Sequence, residues 1–160
     1  YGNTQSCSVV VYGKKYSTRG ASCIAHLRWI SGERNICQIV NSGGIYFAIT
    51  SDGTPRITIP DQGDFDADFT CPQNKDFVLG YSYDDLGAGF IATSDGDLYE
   101  DEFPGSYGAP SDFDADLYAP STHASSGSLI LYSLLFISSP ISKTDLLRLV
   151  NSPYEFCVPA

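Results

Sequence analysis

Along most of the chain, apolar and polar residues alternate in short runs, with Gly, Pro, Asn, Asp or Ser between them. Alternation is the period of half-buried strands, and a turn roughly every 8–12 residues is the spacing of a β-sandwich or barrel. The pattern predicts strands over 6–12, 22–30, 35–40, 45–51, 56–59, 77–83, 90–94, 98–103 and 128–137. In the second of these, Cys23, Ala25, Leu27 and Trp29 fall on one face, and Ile24, His26, Arg28 and Ile30 on the other. The first face is read as the core side, so His26 and Arg28 are expected to look toward solvent. The run Ser128 to Ile137 is apolar on both faces, which predicts a central strand covered on both sides. Helical spacing is confined to Ser142 to Asn151: Ser142 or Thr144 caps it, Asp145 lies in its first turn, Leu146, Leu147 and Val150 share a face, and Pro153 stops it. The expected fold is all-β, a barrel or orthogonal sandwich of short antiparallel strands with one short C-terminal helix.

One five-residue stretch occurs twice, as Asp64-Phe65-Asp66-Ala67-Asp68 and as Asp112-Phe113-Asp114-Ala115-Asp116. Each copy follows a Thr-Ser-Asp-Gly tetrapeptide, Thr50 to Gly53 and Thr93 to Gly96, whose Asp-Gly is a favoured hairpin turn. Residues 44–69 and 88–117 therefore read as one unit used twice, expected to occupy related places in one sheet system. The insertion Pro104 to Pro110 in the second copy reads as a surface loop. Alternating Asp residues also open an EF-hand loop, but Phe69 and Leu117 stand where that loop needs Gly, and no Glu follows at its twelfth position. The rows read better as solvent faces of strands, where a line of carboxylates discourages edge-to-edge pairing.

With 160 residues the chain fits a single domain, 1–160, able to bury roughly 70% of the surface its unfolded form exposes. Nineteen acidic residues against nine basic ones give a net charge of −10. Such a surface repels nucleic-acid and anionic lipid phosphates, so neither nucleic acid nor membrane insertion is expected, whereas a basic protein partner is favoured. The longest apolar run, 129–137, is far short of the ~20 residues a spanning helix needs.

No catalytic motif is present. His26 and His123 are the two histidines; neither lies in a nucleophile context, and both are read as surface or hydrogen-bonded residues. Gly43-Gly44 and Gly87-Ala88-Gly89 are not followed by helices, so no phosphate cradle is expected. No cofactor or metal is assigned. Tyr81, Tyr83, Tyr99, Tyr107 and Tyr118 lie in or beside turns, where exposed tyrosines would serve recognition; the competing reading, that most of them are strand-packing aromatics, carries the greater weight. The five cysteines, Cys7, Cys23, Cys37, Cys71 and Cys157, match no zinc spacing and are candidates for disulfides in an oxidising compartment; two bridges would leave one thiol over. There is no Asn-x-Ser/Thr sequon. The absence of Met, even at position 1, is expected of a chain that starts after processing, such as removal of a signal or pro-segment, or after cloning.

These features taken together — length, acidity, the start without Met, and scattered Cys7, Cys23, Cys37, Cys71 and Cys157 — resemble the secreted fungal necrotrophic effectors, the host-selective "Tox" toxins of wheat-infecting Parastagonospora. The resemblance spans the whole chain and carries no site residue. It implies a precursor trimmed by a kexin-type protease, secretion, and action outside or at the surface of host plant cells. It further implies a non-enzymatic, monomeric protein that triggers cell death in sensitive hosts by binding a host protein, with defence proteins of the pathogenesis-related class as candidates. The alternative is a secreted carbohydrate-binding module, calcium-assisted through the Asp rows; a small secreted hydrolase is the third reading.

Overall fold

A computed structural model describes residues 8–12, 20–39, 45–59, 63–84, 88–102, 115–117, 127–137 and 139–154. Its strands are β1 (Ser8–Tyr12), β2 (Gly20–Ser31), β3 (Arg34–Ile39), β4 (Ile45–Ile49), β5 (Pro55–Ile59), β6 (Gly63–Asp66), β7 (Asp76–Asp84), β8 (Ala88–Thr93), β9 (Leu98–Glu102), β10 (Ala115–Leu117) and β11 (Ser128–Ile137), followed by helix α1 (Lys143–Asn151). They form a six-stranded sheet, β1-β11-β2-β7-β8-β9, and a five-stranded sheet, β10-β3-β4-β5-β6. All pairings are antiparallel except β1 with β11. Among the described residues both sheets keep open edges, so of the two expected architectures the molecule adopts the sandwich.

Alternation decides what enters the core. From the six-stranded sheet come Cys23, Ala25, Leu27 and Trp29 of β2, Phe77, Leu79, Tyr81 and Tyr83 of β7, and Leu134 and Phe136 of β11. They meet Ile45, Phe47 and Ile49 of β4 and Ile57 and Ile59 of β5. Phe47 stacks on Tyr81 at 5.1 Å between ring centroids, and the Tyr81 hydroxyl donates to the Ala48 carbonyl at 2.6 Å. That bond satisfies the one polar atom of a fully buried ring and ties the two sheets together.

The outer face of the six-stranded sheet is covered by α1. Leu146, Leu149 and Val150 are buried against Ile24, Val78 and Ala92. Leu149, rather than Leu147, completes the buried stripe, and Leu147 is only partly buried. Ser142 caps the helix by accepting from the Asp145 N–H at 3.1 Å. The approach to the cap is held from below by two buried hydroxyls: Ser22 Oγ donates to the Ser139 carbonyl and Ser82 Oγ to that of Ile141, while the Ile141 N–H points at both. Strand β11 is covered on both faces in its second half, with Leu134 and Phe136 in the inter-sheet core and Leu135 and Ile137 beside the helix.

The helix can sit this low because β7 has Gly80 beneath it. A Cβ there would stand 2.6 Å from Val150 Cγ1 and 2.8 Å from Leu146 Cδ1. Gly80→Val is expected to lower stability by about 1–3 kcal/mol through overpacking. The urea midpoint should fall at unchanged slope, and a midpoint equal to wild type would mean that α1 is not docked here.

The repeated segment is only partly repeated in space. The two Thr-Ser-Asp-Gly turns are the same hairpin: Gly53 N–H donates to Thr50 O at 3.0 Å and Gly96 N–H to Thr93 O at 3.1 Å, with φ of 92° and 100° at the glycines. However, β4-β5 belongs to the five-stranded sheet and β8-β9 to the six-stranded one. The two hairpins thus lie in different sheets, contrary to the expectation of one. The strands that follow, β6 and β10, are the opposite edges of the five-stranded sheet. Short-range turn chemistry repeats because it is local, whereas strand pairing is set by which apolar faces meet. Asp112, Phe113, Asp114 and the loop 104–110 lie outside the described residues.

Candidate ligand-binding cleft on the five-stranded sheet

No described element covers the outer face of the five-stranded sheet as α1 covers its counterpart. Register fixes what this face displays. Asn35, Ala48, Arg56 and Asp66 lie side by side across β3 to β6, and Tyr46, Thr58 and Asp64 form the neighbouring row. Their strand neighbours Phe47, Ile57 and Phe65 point the other way, into the core. Ala48 is the small member of its row, and a cleft of about 350 Å³ opens over it between Glu33, Asn35, Tyr46, Arg56, Thr58 and Asp64.

One side of the cleft is preorganised. Arg56 Nε and Nη2 donate to the two oxygens of Asp66 at 2.5 and 2.9 Å, and its Nη1 lies 3.1 Å from Asp64. Thr58 Oγ1 donates to the other Asp64 oxygen at 2.6 Å. The bidentate bond to Asp66 is the main influence raising the Arg56 pKa; partial burial opposes it, and the charges of Asp64, Asp66 and Glu33 add to it. Three carboxylates thus surround one guanidinium, and the cleft keeps negative character. No hydrogen bond to another described residue engages the side chain of Glu33 or Asn35.

The first acidic row is therefore an outward strand face at a sheet edge, as its alternation predicts: Asp64, Asp66 and Asp68 are exposed, Phe65 is half-buried and Ala67 is buried. Two of its three carboxylates are engaged by Arg56. Among the described residues no group of three His, Cys, Asp or Glu side chains is placed to hold a metal ion.

Other predicted residues fall elsewhere. Tyr81 and Tyr83 are not exposed; they occupy inward positions of β7 and are core residues. Tyr99 is partly buried and donates to Asp101 at 2.7 Å. Burial, then this hydrogen bond and the charges of Asp101, Asp68 and Asp66, push its hydroxyl up to about 12. Tyr107 and Tyr118 lie outside the described residues, as do His123, Cys7 and Cys157. Cys23, Cys37 and Cys71 are buried, and in this structure each stands as a thiol. Among the described residues, surface-reaching tyrosines that the turn spacing does not single out are Tyr46 in the cleft and Tyr132 and Tyr154 on the opposite broad face. Alternation around Phe47 was enough to place Tyr46 outward.

His26 and Arg28 do reach the outer face of β2. His26 Nδ1 lies 2.5 Å from the Tyr154 hydroxyl, and its ring lies against Tyr132 at 4.9 Å. Arg28 makes a two-point bond to Asp76, at 2.7 and 3.1 Å, which also accepts from Tyr132 at 2.9 Å. These donors, Arg28 foremost and then Tyr132, hold the Asp76 carboxyl below its usual range. Cys23 points to the opposite side of the same strand, so it cannot meet His26 as a thiol–imidazole pair.

No family model and no curated protein sequence matches the chain. Solved structures do share its fold. A native heptameric SAP-like pentraxin from Limulus polyphemus aligns with a TM-score of 0.62 at 10% identity, over 83% of this chain and 70% of that one. The binding domain of botulinum neurotoxin DC in complex with rat synaptotagmin II aligns at 0.56 and 15% identity, over 84% of this chain and 36% of its own. A Trypanosoma rangeli sialidase in complex with 2,3-difluorosialic acid aligns at 0.64 and 9% identity, over 87% and 24%. The chain thus spans well under half of the latter two. At these identities the likeness shows the fold alone, a β-sandwich, one of the two architectures that the alternation predicts.

Proposed function

We propose that the protein is a non-enzymatic, secreted effector that binds a basic segment of a host plant protein in the cleft over Ala48, and that this binding triggers cell death in sensitive hosts. The observation that carries the reading is the charge pattern on the outer face, where three carboxylates surround a single Arg56 beside the Asn35 amide and Tyr46. Arg56 is held in place before any ligand arrives, so little ordering cost falls on that side of the cleft. The remaining acceptors at Glu33 and Asn35 suit a Lys, Arg or backbone amide of a partner, and the chain's net charge of −10 would speed its approach. The botulinum neurotoxin DC binding domain, which shares the fold, has been solved in complex with rat synaptotagmin II. Purified protein infiltrated into a broad panel of wheat lines should cause necrosis in some lines and none in others. A panel without any response would remove the effector reading.

The second reading, a carbohydrate-binding module, is favoured by one feature: the half-buried Tyr46 beside an amide, a hydroxyl and carboxylates, which is the mixture of ring platform and hydrogen-bonding groups that holds a sugar. The same neurotoxin domain is also known in complex with SialylT. A panel of immobilised plant and fungal glycans, probed with calcium and then with EDTA, distinguishes the two. Binding to a defined glycan that is lost in Tyr46→Ala would favour this reading, and loss on EDTA alone would assign the role to calcium.

A further inference from the structure

We propose that Cys23 and Cys37 are joined by a disulfide that crosses the sandwich and fastens the strand behind the cleft. The two residues come from different sheets, Cys23 from β2 and Cys37 from β3, and both point into the single core between them. Both are essentially inaccessible to solvent, at 0% and 1% exposure. Their side chains meet there, the Cys23 thiol facing that of Cys37 within the one core cluster. Burial first, and then this neighbour, holds the Cys23 thiol well above its ordinary range, so that as a thiol Cys23 is inert once the sheets have closed. Two sulfurs facing one another in a dry core gain little as thiols, since the S–H group is a weak donor.

Cys71 is the third buried thiol of the same core. It lies beyond β6, and burial, with the charge of Asp97 added, pushes it up to about 12. The described partner of the Cys23 side chain is Cys37.

The chemistry balances with a small disulfide as oxidant. Cys23 and Cys37 each give up one hydrogen to an incoming disulfide of the glutathione or thiol-oxidoreductase class, which leaves as two thiols while the S–S bond forms. Because neither sulfur is accessible in the closed sandwich, the exchange takes place before β3 docks. The bond then closes the chain from 23 to 37, a loop that passes from β2 in one sheet to β3 in the other through the turn at Gly32. It also anchors β3 two residues from Asn35, at the bulge between Asn35 and Cys37, and so steadies the rim of the cleft.

The test does not depend on where the protein acts. The purified chain is refolded in a mixture of reduced and oxidised glutathione, unfolded in denaturant with iodoacetamide, and digested without reductant. The expected result is a linked peptide pair carrying Cys23 and Cys37, about 2 Da lighter than the sum of the free-thiol peptides. Alkylated Cys23 and Cys37, or either one linked to Cys7, Cys71 or Cys157 instead, would overturn the proposal. Function as an effector is read separately, by infiltration, so the two can fail independently. As a second measurement, unfolding the refolded protein in reductant should lower its melting temperature by about 5–15 °C. The Cys23→Ala/Cys37→Ala variant should show no such dependence; a reductant shift of wild-type size in that variant would contradict the assignment.

Discussion

Phe47→Ala is expected to cost about 3–5 kcal/mol, the range for emptying an aromatic site in a core that collapses only in part. Phe47 has no solvent exposure and stacks on Tyr81, which comes from the facing sheet. Its removal leaves Tyr81 without its stacking partner while the Tyr81 hydroxyl is still committed to the Ala48 carbonyl. The loss is therefore not confined to transfer of one side chain, because the same ring anchors β4 against β7. Urea unfolding followed by tyrosine and tryptophan fluorescence measures it. A loss below about 1 kcal/mol would show that the sheets do not meet at this ring. The consequence reaches function, since Tyr46 and Ala48, the neighbours of Phe47 in β4, form part of the cleft.

Gly53→Ala should cost about 2–5 kcal/mol, and the matching Gly96→Ala about 1–2 kcal/mol. Both glycines hold left-handed conformations, with φ of 92° and 100°, which charge any Cβ-bearing residue a backbone penalty. Only at Gly53 does a second penalty apply. A Cβ there would lie 2.8 Å from Trp29 Cζ3, and the ring cannot retreat freely because Trp29 is buried and its Nε1 donates to the Gly32 carbonyl at 2.9 Å. At Gly96 a Cβ meets nothing within 4 Å. Two turns with the same four residues are thus predicted to differ in sensitivity for reasons of packing alone. Paired thermal or urea melts measure the difference; equal losses at the two sites would place the Trp29 ring elsewhere.

The same contrast explains how far the sequence could be read. Turn chemistry is written in four residues, so the hairpins at Asp52-Gly53 and Asp95-Gly96 were legible, as was the alternation that sends Cys23, Leu27 and Trp29 inward. The cap at Ser142 and the helix it starts were equally local. What could not be read is which sheet each hairpin joins, since that depends on pairings between residues far apart, such as β2 with β7 and β3 with β10. The outward face of the Asp64 row was legible for the same reason of period, but its partner was not. Arg56 is ten residues from Asp66 in sequence and becomes its neighbour through the β5–β6 register. Tyr81 and Tyr83 fit the sequence both as exposed tyrosines beside turns and as strand-packing aromatics, and their place in the alternation of β7 buries both.

The proposed recognition takes place at the cleft over Ala48. The most direct measurement is necrosis in a responding wheat line after infiltration of three folded proteins at equal concentration: wild type, Tyr46→Ala in the cleft, and Tyr154→Ala, which changes an exposed tyrosine on the other broad face. Tyr46→Ala is predicted to lose at least about tenfold in potency, as expected when an aromatic anchor worth 1.4 kcal/mol or more is removed from a binding site, and Tyr154→Ala to match wild type. Full potency in Tyr46→Ala, or a loss confined to Tyr154→Ala, would contradict a binding site on the five-stranded sheet.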